Sequence, residues 1–460
     1  MVSLPTVPQP DRRAVVARGA TPLTFWQALR RNPPEGFRRI ASYGDLVSVR
    51  PGARRFLMVS HPVYIQSILV QQHQRFIKGR ALDLARPILG QGLLTSEGAY
   101  WRRQRQLSQP TFARHAVEAY APTVVQLAMR QVDEWQEGTS LDLSREMARL
   151  TLSIATTTLF GVEVSEAADV VREDLTWLMR EIHQRLRSLA PMPTWLPTPT
   201  KLQRDETAHR LDSIIYSIID AHEARAREGS APIDDLLSRL MHATDAEGHG
   251  MSRRQLRDEV MTLFLAGHET TANALGWTWY LLMQNPDALA TLRQELKTVL
   301  GGRPPTLEDL ERLPFNRAVV EESLRLYPPA WILLRKAIEP FQLGDETFPE
   351  GTELGLSQWV THRDPRFWPD ADLFRPERWL GDGPEVPPFA YFPFGAGPRL
   401  CIGRPFALQE AELILAIMAE RVTLELRPDP PVEMEALISL RTKNGIPVTV
   451  TERRSGQTVP

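Results

Sequence analysis

The chain has 460 residues, a formal net charge of −2, 42% hydrophobic residues and 24% charged residues, an ordinary globular composition. The basic field of nucleic-acid binders is absent, and a single cysteine excludes an internal disulfide and fits a reducing compartment. The first twenty residues mix prolines with Arg12, Arg13 and Arg18 and hold no long apolar run, so neither a signal peptide nor a membrane span is expected, and the protein reads as cytoplasmic.

In chain order, the apolar runs 46–49 and 55–59 flank Pro51-Gly52 and predict a β-hairpin. Trp101 and Arg105 are spaced to share one face of a helix. Helical periodicity then covers 121–137, 142–160, 166–189 and 204–227. Pro191, Pro193, Pro197 and Pro199, with Trp195 and Leu196 among them, separate two of these helices, a composition that by itself means a stiff loop. The segment 251–284 predicts a helix about 50 Å long, enough to cross a domain. Helices follow at 287–300 and 315–326, the latter with Pro314 at its start, and short strands at 351–356 and 448–451. Pro405 opens a last helix with apolar positions Phe406, Ala407, Leu413, Ile414 and Ile417. No repeat or internal boundary is evident. The expectation is one mainly α domain with small β-sheets over 1–460, its last residues, 428–460, too few for a fused reductase module.

The most informative stretch is Phe394-Gly395-Ala396-Gly397-Pro398-Arg399-Leu400-Cys401-Ile402-Gly403, a glycine-rich turn before that last helix. A lone cysteine there is by default a buried structural residue. A cysteine at a helix N-terminus also meets the positive end of the macrodipole, which favours the thiolate, a ligand for soft iron. The glycines permit a tight turn that passes close to something flat. The pattern Phe-Gly-x-Gly-x-Arg-x-Cys-x-Gly resembles the haem-ligand loop of the cytochrome P450 superfamily, with every fixed position filled. That resemblance implies haem b (iron protoporphyrin IX) with Cys401 as axial iron ligand. It also implies a triangular helix-rich prism with the haem between the long central helix and the cysteine-loop helix.

Three further motifs fall in the family's order. Ala266-Gly267-His268-Glu269-Thr270-Thr271 lies mid-way along the long helix; Gly267 weakens the turn, and the Thr270 hydroxyl competes for the Ala266 carbonyl. Read alone it is a packing notch. It resembles the family's oxygen-activation motif, which gives Thr270 a hydrogen bond to the iron-bound peroxo group and Glu269 a proton relay through water. His268 has no histidine partner at metal-ligand spacing and reads as a helix neighbour. Glu322 and Arg325, three apart, are weak evidence alone. With 374–379, which resembles the family's meander, they imply a buried network of Glu322, Arg325 and Arg378 that braces the cysteine loop. Trp101, Arg105, Arg335 and Arg399 match the family's partners for the haem propionates, and Phe394, Gly395 and Gly403 complete the cofactor contacts.

The resemblance implies a haem-thiolate monooxygenase that inserts one oxygen atom of O2 into a C–H or C=C bond. Leu265, Ala266, Ala330, Ile332 and Ile438 are placed at the substrate cavity by motif alignment; all are apolar, which points to a lipophilic substrate such as a fatty acid, terpenoid, steroid or carotenoid. Segment 76–94 supplies another wall, and Arg80 or Arg86 is a candidate carboxylate anchor or a surface charge. The proline loop becomes a lid by resemblance. Arg102, Arg103 and Arg404 read either as a solvated face or as a steering patch for a separate ferredoxin or flavodoxin. The details lie closer to the fatty-acid-hydroxylating and eukaryotic-like members than to the camphor-type branch, and a monomer is expected. A peroxygenase or isomerase, and a non-catalytic haem sensor or carrier, are the other readings. The Glu269-Thr270 pair argues against both.

Overall fold

The computed structural model describes residues 8–16, 32–49, 55–161, 168–187, 198–228, 235–381 and 386–454. Pro51-Gly52 and the proline loop from Pro191 to Pro197, with Trp195 and Leu196, lie outside them. The main helices are α1 (Arg80–Leu89), α2 (Gly98–Ser108), α3 (Ala121–Glu134), α4 (Leu143–Phe160), α5 (Ala168–Arg187), α6 (Pro199–Arg227), α7 (Arg253–Gln284), α8 (Pro286–Leu300), α9 (Pro314–Leu326) and α10 (Arg404–Arg421).

Boundaries follow local chemistry. Ser252 caps α7 in a reciprocal box, with Gln255 N–H donating to Ser252 Oγ at 3.3 Å and Ser252 N–H to Gln255 Oε1 at 2.7 Å. Asp142 caps α4, accepting from Ser144 N–H at 3.0 Å, and Gly161 ends that helix at φ 61°. The largest departure from expectation is α6, which starts at Pro199 and not at 204. Proline was read there as a breaker, yet its fixed φ and missing N–H suit the first turn.

Strands are β1 (Val15–Val16), β2 (Leu46–Val49), β3 (Phe56–Val59), β4 (Phe76–Lys78), β5 (Ser140–Asp142), β6 (Leu333–Ala337), β7 (Phe341–Leu343), β8 (Glu346–Phe348), β9 (Glu353–Leu356), β10 (Val422–Leu426), β11 (Met434–Ala436), β12 (Leu440–Thr442) and β13 (Pro447–Arg453). They form a six-stranded sheet β1-β2-β3-β9-β6-β4, a three-stranded sheet β10-β13-β5, and the hairpins β7–β8 and β11–β12. The expected 46–59 hairpin is β2 paired antiparallel with β3, Leu46 opposite Val59.

α7 and α10 are buried nearly all round, as the inner helices of a helical layer must be. One core joins α3, α4, α8, α9 and α10 around Trp279, Leu282, Leu413 and Ile417. A second packs α4, α5 and α6 against the first half of α7. Burying each of these large side chains contributes about 1.5–3 kcal/mol, which fixes the two central helices as the rigid frame of the site.

Candidate active site

The cysteine loop is a sequence of tight turns. Gly395 N–H donates to Phe392 O at 2.9 Å, Leu400 N–H to Gly397 O at 3.0 Å, and Cys401 N–H to Phe394 O at 3.0 Å. Gly395 and Gly397 take φ +72° and +67°. A Cβ on Gly397 would lie 2.0 Å from Leu69 O, so this glycine is required by the close approach of the Leu69 backbone. Gly403 is the residue before α10, and Ala407 N–H donates to its carbonyl at 2.9 Å. The Cys401 side chain is accessible to solvent, yet protein surrounds it closely enough to desolvate the thiol. That enclosure raises the thiol pKa, and the opposing pull of the Gly403 and Arg404 N–H groups and of the Arg105 and Arg404 charges does not overcome it. The expected thiolate preference of the helix N-terminus is therefore outweighed in the protein alone.

Ala266 and Thr270 are exposed midway along α7, most of whose other residues are buried. They share a face with each other, four residues apart. Thr270 Oγ1 donates to Ala266 O at 2.7 Å, the competition anticipated from sequence. Ile402, beside the cysteine, packs against the cluster that holds Leu265, and Glu410 of α10 lies within reach of Thr271. Both Glu410 carboxylate oxygens are buried without a hydrogen-bond partner. Cys401 at the root of α10 and Ala266 and Thr270 on α7 are thus exposed, on two central helices whose other residues are mostly buried. Glu269 is half-buried, and its Oε1 accepts from Ser439 Oγ at 2.7 Å. His268 is buried, its Nδ1–H on Phe264 O at 2.8 Å, and Thr151 Oγ1 donates to its carbonyl at 2.9 Å. Among the described residues no group of three His, Cys, Asp or Glu side chains is placed to hold a metal ion by itself.

Cations accumulate beside the cysteine loop. The Arg399 guanidinium stacks 3.7 Å from the Trp101 ring centroid, donates to Ser96 O at 3.0 Å and pairs with Glu97. Arg105 Nη1 donates to Leu400 O at 3.1 Å, and Arg335 Nη1 to Leu334 O at 2.9 Å. Burial drives the pKa of both Arg335 and Arg399 down to about 10. Lys78 joins them on β4, opposite Arg335 on β6, with its own pKa pushed well down by burial and then by Arg399. Four enclosed cations face two carboxylates, Glu97 and, beside Lys78, Glu259, which leaves positive charge in excess. Together with an enclosed sulfur, this donor set fits a flat dianionic iron complex such as haem. Neither Lys78 nor Glu97 was found by sequence reasoning; each lies in a short segment without motif or periodicity.

Glu322 and Arg325 are fully buried and joined by two parallel 2.8 Å hydrogen bonds. The remaining acceptor capacity of Glu322 is filled by Arg378 Nε, Arg375 N–H and Trp379 Nε1, each at 2.9 Å. Arg325 also donates to His362 O, Ala371 O and Leu373 O. Phe392 N–H, just before the cysteine loop, donates to His362 Nε2 at 3.0 Å. One carboxylate therefore ties α9, the 370–379 meander and the loop root.

Of the cavity residues, Ala266 is exposed and Ala330, Ile332 and Ile438 are partly buried, whereas Leu265 is buried in the α4–α6 core. Arg86 donates to Thr95 O at 3.1 Å and faces Asp83. Arg103 pairs with Asp245 at 2.6 Å and donates to His249 O and Gly250 O, while Arg102 and Arg404 are exposed.

The family model for cytochrome P450 matches residues 24–448. The chain is 36% identical to cyclooctatin synthase of Streptomyces melanosporofaciens over 92% of its own length and 94% of that protein. It is 37% identical to cyclooctat-9-en-7-ol 5-monooxygenase of the same organism, over 90% of each chain. It is 32% identical to pentalenene oxygenase of Streptomyces avermitilis, over 96% of its length and 98% of that protein. Among the described residues no helix is long and apolar enough to cross a membrane.

Proposed function

Since this chain belongs to the cytochrome P450 family and is a haem-iron monooxygenase, we propose that it oxygenates a C–H or C=C bond of a hydrocarbon-rich terpenoid, using O2 and electrons from a separate ferredoxin- or flavodoxin-type donor. The observation that supports this reading is the exposure of the Cys401 side chain at the root of α10 and of Ala266 and Thr270 midway along α7, on helices otherwise mostly buried. Support for the substrate class comes from the names of the relatives, an oxygenase of pentalenene and a monooxygenase of cyclooctat-9-en-7-ol, and from the apolar Ala266, Ala330, Ile332 and Ile438.

Bound haem b supplies the oxygen activation and one-electron chemistry. Cys401 would hold the haem iron through its sulfur, and a bound cation there would favour the thiolate that burial alone disfavours. Arg105, Arg335 and Arg399, with the Trp101 ring backing Arg399, hold the two propionates. Thr270, already donating to Ala266 O, keeps its lone pairs free to accept from a water and so holds a proton at its own oxygen. Glu269, one residue earlier, takes protons from water and passes them to Thr270. Leu265, buried behind Ala266, shapes the cavity wall through packing.

Reduction under carbon monoxide, followed by a screen of cyclic terpenoids and fatty acids for displacement of the iron-bound water, tests the proposal. A thiolate-type spectrum and a spin-state change with the terpenoids are expected. A response to fatty acids alone would overturn the substrate class.

A further inference from the structure

We propose that Ser439 is a positioning residue for proton delivery, fixing the Glu269 carboxylate from a turn that is itself anchored on both sides. The inference rests on the reading of Glu269 as the proton relay. Ser439 is 5% exposed and sits between β11 and β12, where Leu437 N–H closes onto Ser439 O at 3.0 Å. Two indoles hold that turn from the core side: Trp331 Nε1 donates to Leu437 O at 3.0 Å and Trp277 Nε1 to Leu440 O at 3.1 Å. Leu440 N–H adds a 2.8 Å bond to Pro329 O. From the other side Arg441, paired with Glu435 at 2.9 Å, reaches Thr176 of α5 at 3.3 Å.

A side chain on such a fixed turn can hold a flexible one. Glu269 has three rotatable bonds and stands on a solvent-accessible stretch of helix, where its carboxylate would otherwise sample several rotamers. The Ser439 Oγ–H donating to Oε1 at 2.7 Å selects one of them. A hydrogen bond to a charged group is strong enough to keep that choice dominant. Because Ile438, the neighbouring residue, is partly buried against the core cluster that holds Leu265, the same turn serves both the proposed apolar wall and the relay.

The test uses the holoenzyme with its electron donor. Ser439→Ala is expected to lower product formed per electron pair consumed by about tenfold, with the balance released as hydrogen peroxide. It is also expected to shift the carboxylate infrared band of Glu269, which is assigned by its loss in Glu269→Gln. Ser439→Thr, which retains the hydroxyl, restores both readings. If Ser439→Ala leaves the band and the coupling unchanged while Glu269→Gln uncouples, Ser439 has no such role and the relay stands. If Glu269→Gln itself stays fully coupled, the relay reading fails and this inference falls with it.

Discussion

Cys401 sits between opposed influences: burial favours the thiol, while two backbone N–H groups and two arginines favour the thiolate. Glu259 shows the same conflict in simpler form. It is buried on α7, accepts from Leu93 N–H at 3.0 Å, and has its pKa raised from 4.5 to about 7 by burial. Between these two values the native state retains a proton that the unfolded chain has released, so stability falls as pH rises from 4.5 to 7. Glu259→Gln should flatten that fall and raise stability at pH 8 by on the order of 2 kcal/mol, read from urea unfolding at pH 5 and pH 8. At the relay, Thr270→Ala should leave electron consumption in place and divert most of it to peroxide. Full coupling in that variant would remove Thr270 from proton delivery.

At the scale of elements, the Glu322 network is the clearest case of several segments held by one group. Glu322→Ala leaves Arg325 buried without its partner, which should cost about 3–5 kcal/mol and reduce haem incorporation in parallel. Unfolding curves and the haem-to-protein absorbance ratio check both. Its pH sign is opposite to that of Glu259: hydrogen bonds and charge from Arg325 hold the Glu322 pKa down despite burial. Its contribution is therefore present above the ordinary carboxylate pKa and lost as pH falls.

The elements also show what the sequence could and could not disclose. The long helices were legible because periodicity is a property of each segment alone, and the cysteine loop because its glycines and cysteine sit at fixed spacing. The start of α6 was misplaced by reading Pro199 through its ring and not through its position in the first turn. Lys78, Glu97 and Ser439 were missed for a different reason. Each gains its role from a partner across the fold: Arg335 on the next strand, Arg399 some 300 positions on (302), and Glu269 on α7.

For the molecule as a whole, electron delivery depends on which charges remain available at the surface. Arg103 is engaged by Asp245 and two carbonyls, whereas Arg102 and Arg404 are exposed. Arg102→Glu should therefore slow reduction by an acidic donor and weaken its dependence on salt, measured by stopped flow at several ionic strengths. Arg103→Glu should instead loosen the 245–250 loop. Equal, salt-independent rates in the Arg102 variant would remove it from the docking surface. The expectations for electron delivery and coupling presuppose one bond, between the Cys401 sulfur and haem iron. The most direct measurement is the carbon monoxide spectrum of the reduced protein beside that of Cys401→Ser. The parent should show a thiolate-ligated band that the variant lacks, with turnover lost alongside it; an identical Soret band and unchanged turnover in the variant would contradict the account.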